Sequence, residues 1–208
     1  MGERAYHQPL TRQDKITVVL YRTGIFISTI TVCISAVLAV LGLTNSDVLN
    51  YPVISSGLAA DILLLILYFS TGLSVFFIHL YIGKFHRILI KIYYVAVLCL
   101  AVLFFAGKGN PAVLLLGQPA YRALLLIPIS LCLGFVTAKE AFCFQLIEGY
   151  ILAFLMPAYI FFYSLGALPP RTAVYGLAAI ASLLLFFMFR KTFMPLDFDI
   201  GDKSAYQP

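Results

Sequence analysis

The sequence predicts an all-α, polytopic membrane protein with six transmembrane helices. Hydrophobic residues form 62% of the 208 residues and charged residues 11%, whereas soluble domains contain about 45–50% and about 25%. Six apolar segments, each near the roughly 20 residues that a helix needs to cross a bilayer, divide the chain. Lysine and arginine are distributed unequally between the two sets of connecting segments, which predicts an orientation. We expect one integral membrane domain covering residues 1–208.

The predicted transmembrane helices span about 16–43, 58–82, 88–106, 120–138, 150–168 and 174–189. A short polar tail, 1–15, precedes them, and a polar tail, 190–208, follows them. The last helix is short, and the snorkelling stems of Arg190 and Lys191 are expected to extend it. The stretch 107–119 could be a re-entrant segment or the beginning of the fourth helix, and we favour the second interpretation.

Charge predicts the orientation of these helices. Eleven of the 14 Lys and Arg residues lie in the tails and in the loops on the same side as the tails, so the positive-inside rule places both termini in the cytoplasm. These residues are scattered singly, which argues against nucleic acid as a partner. The chain has no tryptophan, so tyrosines are expected to form the interfacial belt, namely Tyr21, Tyr51, Tyr81, Tyr121, Tyr150 and Tyr175.

Isolated polar residues inside the apolar segments have mainly structural interpretations. Cys33, Cys99 and Cys132 are far apart and are expected to be small packing residues. Asp61 lies in the first turns of the second helix, where the helix dipole favours a negative charge. A carboxylate in a membrane segment is also a functional candidate, and that alternative stays open.

His79 and His86 are seven residues apart near the second loop. If one helix continued through both, the two imidazoles would share a face. We regard them as an interfacial pair and as weak candidates for metal ligands. A haem would need ligands on opposite faces of the iron, and no cofactor is predicted.

The motif TAKEAFCF, residues 137–144, brings ionisable and thiol groups to the end of the fourth helix. In a continuous helix Lys139 and Cys143 share a face, and a neighbouring cation would favour the reactive thiolate. Cys143, Lys139 and Glu140 are therefore the candidates for catalytic residues. In the alternative, structural interpretation Lys139 snorkels, Glu140 pairs with it, and AFCFQLI forms an amphipathic connector.

Four sequence blocks, VLYRTGI, IHLYIGKFHR, TAKEAFCF and FRKTFMPLDFDIGDKS, resemble a family of uncharacterised multi-pass membrane proteins, domain of unknown function 2301, known from cyanobacteria and other bacteria. The resemblance implies a bacterial inner membrane, of the plasma or thylakoid type, and no established activity. It gives weight to residues that the orientation places on the cytoplasmic side: Arg22, His79, His86, Arg87, Lys139, Glu140, Cys143, Gly201, Asp202 and Lys203. We predict that they form a polar cluster there, closed by the C-terminal tail. In it, acids of that tail could meet basic residues, specifically Asp197, Asp199 or Asp202 with Arg87, Arg190 or Lys139.

Three functions remain open. The preferred one is a non-catalytic accessory or assembly protein of a larger membrane complex, because little of the chain lies outside the membrane. A small-solute secondary transporter is the alternative, since Pro128 and Pro157 could interrupt the fourth and fifth helices. A thiol-dependent membrane enzyme using Cys143 is the third. Membrane lipids are partners in each case, and the sequence does not indicate whether the chain forms homo-oligomers.

Overall fold

The computed structural model describes residues 11–45, 57–80, 83–117, 120–195 and 199. Within these residues every regular element is a helix. The elements are α1 (Arg12–Thr44), α2 (Leu58–Phe77), α3 (Gly83–Ala106), α4 (Pro111–Leu116), a 3-10 helix (Ala120–Leu126), α5 (Ile127–Phe144), α6 (Ile147–Ser164) and α7 (Pro170–Thr192). Six helical segments are long and apolar enough to cross a membrane, the 3-10 helix and α5 together forming one of them. The predicted fold class and the six spans are confirmed, whereas the side on which the termini lie stays a prediction.

The spans form an antiparallel bundle. α1 packs against α2 and α7, and α5 packs against α3 and α6. We call the end at which α1 begins the N-terminal end of the bundle. There α2, α5 and α7 end and α3 and α6 begin. A continuous apolar core fills the bundle, with Tyr21, Val75, Leu133, Leu152 and Phe187 among its buried members.

Most helices are longer than the apolar segments that predicted them. α1 begins at Arg12 rather than 16, because Thr11 and Asp14 form a capping box that satisfies the first backbone N–H groups. α5 continues to Phe144 instead of ending at 138, and α3 begins at 83 instead of 88. In contrast, α2 ends at Phe77, before the predicted 82. Polar residues that flank an apolar segment therefore continue its helix where their side chains form hydrogen bonds or ion pairs.

The stretch 107–119 contains a helix of its own. Pro111–Leu116 forms α4, and Gly117 ends it in an extended conformation before the next span begins at Ala120. The interpretation of this stretch as the beginning of the fourth helix was wrong. Asp61 explains the position of α4, since its buried Oδ1 accepts a hydrogen bond of 2.6 Å from the backbone N–H of Ala112. This contact fits the structural interpretation of Asp61.

Two prolines occupy different positions in their helices. Pro128 lies in the first turn of α5, directly after the 3-10 helix, where the missing N–H costs little. Pro157 lies inside α6. Only Pro157 therefore interrupts an α-helix in the way that the transporter alternative requires.

α1 and α2 approach each other closely through small residues. Gly24 and Ser28 on α1 face Ser70 and Ser74 on α2, and each pair has the four-residue spacing of small-xxx-small packing. The Ser28 and Ser70 hydroxyls lie 2.8 Å apart. A Cβ at Gly24 would lie 2.6 Å from Ser70 O and 2.7 Å from Ser74 N. Glycine at position 24 therefore sets the distance between these helices.

The same packing mode joins α5 and α6. A Cβ at Gly149 would lie 2.6 Å from the Thr137 carbonyl oxygen and 2.9 Å from the Ala141 Cβ. A Cβ at Gly134 would lie 2.9 Å from the Ala153 carbonyl oxygen. Lipid provides no hydrophobic driving force between helices, so close backbone packing of this kind stabilises the bundle.

A buried charge cluster as the candidate functional site

A group of polar side chains is buried at the N-terminal end of the bundle, where α1, α5 and α7 meet. We call it the charge cluster, and it consists of Tyr21, Arg22, Lys139, Glu140, Lys191 and Asp199. Four of these residues are almost completely buried, namely Tyr21, Glu140, Lys191 and Asp199. The side chains of Arg22 and Lys139 are 14% and 8% exposed.

Glu140 lies at the centre of the charge cluster and is 0% exposed. Its Oε1 accepts hydrogen bonds from the Tyr21 hydroxyl at 2.6 Å and from Lys139 Nζ at 2.8 Å. Its Oε2 forms an ion pair with Lys191 Nζ. Each oxygen of this buried carboxylate therefore contacts a cation of the charge cluster.

Asp199 ties the segment after α7 to α1. Arg22 Nε donates to Asp199 Oδ2 at 2.5 Å, and Lys191 Nζ donates to Asp199 Oδ1. Arg22 also donates from Nη1 to the Met194 carbonyl at 2.6 Å and from Nη2 to the Pro195 carbonyl at 2.8 Å. One arginine thus holds three points of the segment that follows α7.

Aromatic rings complete the environment of the two lysines. Lys139 Nζ lies 5.2 Å from the centroid of the Tyr21 ring, and Lys191 Nζ lies 4.1 Å from that of Phe144. Cation–π contacts contribute about 2 kcal/mol when they are desolvated. Each lysine therefore has a carboxylate and a ring as partners, which offsets part of the cost of its burial.

The expectation that Lys139 and Lys191 snorkel to the interface was wrong, since both side chains point into the bundle. The pairing of Lys139 with Glu140 was predicted by the structural interpretation and is present. The same interpretation treated AFCFQLI as a connector, but residues 141–144 are the last turn of α5. α5 ends at Gln145, which adopts a left-handed conformation with φ 54°.

A second ion pair lies nearby at the same end. Arg190 Nη1 donates to both oxygens of Glu148, at 2.8 and 2.9 Å, and connects α7 to α6. The Arg190 side chain is 43% exposed. Glu148 is 8% exposed, so Arg190 is the partner that reaches the surface.

His79 lies just after α2, beside the charge cluster. Its Nε2 is 3.2 Å from the Thr17 hydroxyl oxygen. Burial lowers the pKa of His79 below its ordinary value, and the charge of Lys139 lowers it further. The carboxylates of Asp199 and Asp14 oppose this shift, and His86 adds weakly to it.

Two further residues predicted for the cluster, His86 and Arg87, lie outside it. His86 is in the first turn of α3, where its Nε2 is 3.2 Å from the Val75 carbonyl oxygen, and Arg87 beside it is exposed. The condition under which the two imidazoles would share a helix face is not met, since α2 ends at Phe77 and α3 begins at Gly83. Gly201, Asp202 and Lys203, together with Asp197, fall outside the described residues.

Cys143 is an exposed residue on the last turn of α5. The ammonium group of Lys139 donates to Glu140 rather than to this thiol. α5 runs through both residues, as the expected activation requires, but the hydrogen bond of Lys139 is to Glu140, and the reactivity of Cys143 stays a prediction. The other cysteines are also free thiols, and Cys33 donates a weak hydrogen bond of 3.6 Å to the Ala181 carbonyl.

Sequence reasoning missed two members of the charge cluster and misassigned the partners of a third. Tyr21 was assigned to the interfacial belt but is fully buried, whereas Tyr121, Tyr150 and Tyr175 are exposed as a belt requires. Lys191 was treated as a snorkelling anchor. Asp199 was expected to meet Arg87, Arg190 or Lys139, and its partners are Arg22 and Lys191.

A metal site gathers three or more donor side chains around one ion. Among the residues that the structure describes, no three His, Cys, Asp or Glu side chains lie close enough to share a metal ion. His79 and His86 each approach a different oxygen acceptor within the protein.

The chain was compared with known proteins and protein families. The family model described as "Uncharacterized integral membrane protein (DUF2301)" matches residues 73–207. This range covers α3 to α7 and most of the charge cluster, and it begins after Tyr21 and Arg22. Neither the comparison with curated proteins nor that with solved structures gave a match. Because the matched range is well over half of the 208 residues, the chain belongs to this family of integral membrane proteins.

Proposed function

We propose that this protein is a non-catalytic accessory or assembly subunit of a larger membrane complex. The observation that carries the proposal is the internal pairing of the charge cluster. Glu140 contacts Lys139 and Lys191, and Asp199 contacts Lys191 and Arg22. These ion pairs link α1, α5 and α7. Ionisable groups arranged in this way support a scaffold, because both carboxylates of the charge cluster are held in ion pairs between helices.

The surface near the charge cluster supports the same proposal. Phe142 at the end of α5 is 79% exposed, and Ile147 at the beginning of α6 is 72% exposed. Cys143 lies between them and is also exposed. Large apolar side chains grouped at one end of a bundle suit contact with the apolar helices of another integral membrane protein. We propose this surface, Phe142, Cys143 and Ile147, as the contact.

The test is purification at native expression. A tagged chain would be extracted in mild detergent, and proteins recovered in stoichiometric amount would be identified by mass spectrometry. Tagging the identified protein should in turn recover this chain. If the chain purifies alone in both detergent and polymer-extracted native membrane discs, the accessory proposal is refuted.

Two matched variants test the proposed contact. A central aromatic residue of an interface contributes about 2 kcal/mol or more, so Phe142→Ala should reduce the recovered partner at least about tenfold. Phe105→Ala is the control, because Phe105 on α3 is 86% exposed and lies at the opposite end of the bundle. Equal recovery with both variants would exclude Phe142 from the contact.

Transport of a small apolar solute is the second candidate, and one cavity favours it. The cavity has a volume of about 180 Å³ and lies between α1, α2, α5, α6 and α7. Most of its lining is apolar, including Leu64, Leu133, Met156 and Leu184. The lining hydroxyls of Ser35, Ser130 and Tyr159 donate to backbone carbonyls. An uncharged, apolar solute would therefore suit this cavity better than an ion.

Ligand-dependent stability distinguishes the two candidates. A ligand that binds the folded state alone raises stability by RT ln(1 + [L]/Kd). A panel of small apolar solutes should raise the melting temperature of the wild type, and Leu133→Phe, which fills the cavity, should abolish the rise. No solute-dependent shift in the wild type would count against transport through this cavity.

A further inference from the structure

A groove between α1 and α7 opens beside the charge cluster. Its volume is about 210 Å³, and its apolar walls are formed by Ile25, Phe26 and Met188. At one end the groove is bordered by Arg22 and Lys191, and Thr23 also lines it. The groove therefore combines a cationic end with an apolar remainder.

Arg22 and Lys191 are already spaced to hold one anionic group. Arg22 contacts one oxygen of Asp199, and Lys191 contacts the other. A guanidinium group has five N–H donors, and three of those of Arg22 have protein acceptors. Lys191 has three donors and contacts two carboxylates. Among the described residues, two N–H groups of Arg22 therefore have no protein acceptor, and Lys191, which also lies over the Phe144 ring, adds its positive charge beside them.

Among the residues that the structure describes, the charge cluster contains more cations than carboxylates. Arg22, Lys139 and Lys191 are cations, and Glu140 and Asp199 are the carboxylates that pair with them. Uncompensated charge is costly where water is scarce. An additional anion at the cationic end of the groove would neutralise the excess.

We propose that the groove between α1 and α7 binds an anionic phospholipid, with the phosphate at Arg22 and Lys191 and an acyl chain along Ile25, Phe26 and Met188. Phosphate accepts charge-assisted hydrogen bonds from both cation types. The apolar walls favour a lipid over free phosphate, which could not use them. The predicted orientation places this end of the bundle in the cytoplasmic leaflet, where anionic lipids are concentrated. This site does not depend on the proposed accessory role.

The test uses the purified full-length chain in a non-ionic detergent. Short-chain phosphatidylglycerol should raise its melting temperature in a saturable manner, whereas phosphatidylcholine with the same chains should not. Glycerophosphoglycerol, which has the same phosphodiester group without acyl chains, should produce no shift at the same concentrations. A shift with glycerophosphoglycerol equal to that with phosphatidylglycerol would show an anion site and overturn the lipid assignment.

Variants at exposed positions test the location without removing a member of the charge cluster. Thr23→Glu places a carboxylate in the groove, where it repels a phosphate or takes up the free donors. The half-maximal concentration of phosphatidylglycerol should rise at least about tenfold relative to Thr23→Gln, which has the same size without the charge. Gln145→Glu adds the same charge at the same end of the bundle, between α5 and α6, and should leave binding within about twofold of wild type.

Two results would overturn the proposal. The first is that phosphatidylglycerol and phosphatidylcholine shift the melting temperature of the wild type equally. Neither lipid would shift it if residues of the chain itself filled the groove, and this result also counts as equal. The second is equal phosphatidylglycerol binding by Thr23→Glu and Thr23→Gln, which would place any anionic lipid elsewhere.

Discussion

Neutralising Glu140 is the most direct test of the charge cluster. Glu140→Gln keeps the size of the side chain but removes the charge that pairs with Lys139 and Lys191. Lys191 keeps Asp199 as a partner, whereas Lys139 loses its only carboxylate among the described residues. Removing one partner of a buried ion pair costs about 3–5 kcal/mol, because the remaining charge stays buried.

The expected loss can be expressed as a melting temperature. For chains of 150–250 residues, 1 kcal/mol corresponds to about 2–4 °C. Glu140→Gln should therefore lower the melting temperature by about 6–20 °C. The assay heats detergent-solubilised protein and measures the fraction that remains monodisperse by size-exclusion chromatography. A decrease of less than about 2 °C would refute the idea that the buried carboxylate stabilises the fold.

The control is the same substitution in the neighbouring ion pair. Glu148 pairs with Arg190, whose side chain is 43% exposed. Glu148 is itself only 8% exposed, but Arg190 is the charge that remains after Glu148→Gln, and water can solvate it. The variant should therefore cost about 1 kcal/mol and lower the melting temperature by no more than about 4 °C. Equal decreases for both variants would mean that loss of negative charge at this end, rather than burial of the remaining cation, determines the effect.

Three further predictions test other contacts. Tyr21→Phe removes a hydrogen bond to a carboxylate and should lower the free energy of unfolding by about 1.5–3 kcal/mol. Tyr159→Phe removes a hydrogen bond to a neutral carbonyl and should lower it by about 0.5–1.5 kcal/mol. Chemical denaturation of both variants measures the difference. Gly24→Ala forces α1 away from α2 and should cost about 1–3 kcal/mol, although alanine favours helices; a higher melting temperature would contradict the close approach. His79 has a pKa below its ordinary value of about 6.5, so the folded protein binds protons less readily than the unfolded chain, and stability should fall as the pH drops below about 6.5. The stability lost between pH 7.5 and 5.5 should be smaller in His79→Gln than in His86→Gln. If His79→Gln loses as much stability as the wild type, the assignment of this pH dependence to His79 is wrong.

The spans could be predicted from the sequence because lipid imposes a simple rule. A segment in the membrane must satisfy its own backbone hydrogen bonds, so a long apolar run becomes a helix whatever its neighbours are. The predicted helix ends were less accurate, because an apolar segment ends at the first charged residues even where the helix continues. Arg12–Lys15 and Lys139–Phe144 continue their helices, since Asp14 completes a capping box and Glu140 finds partners inside the bundle.

The direction in which a side chain points could not be predicted in the same way. Arg190 and Lys191 are adjacent in sequence, but one reaches the surface and the other is 3% exposed. Lys191 continues a buried stripe with helical spacing, formed by Ile180, Leu184 and Phe187. In a helix of a soluble protein, the opposite face would be polar, so an apolar stripe of this kind would be recognisable in the sequence. A transmembrane helix is apolar on every face, so the contrast is missing and the inward face of α7 is not visible from hydropathy.

The contacts of the charge cluster connect parts of the chain that are far apart in sequence. Tyr21 and Glu140 are separated by 119 positions, and Arg22 and Asp199 by 177. Apolar helix surfaces in lipid can exchange neighbours at little cost, because lipid tails are as apolar as the side chains they replace. A misplaced α7, in contrast, would leave Lys191 and Glu140 charged and unpaired within the bundle. The charge cluster therefore penalises wrong helix arrangements more strongly than its pairs stabilise the correct one, and this penalty gives a physical reason for placing costly charges where leucines would pack.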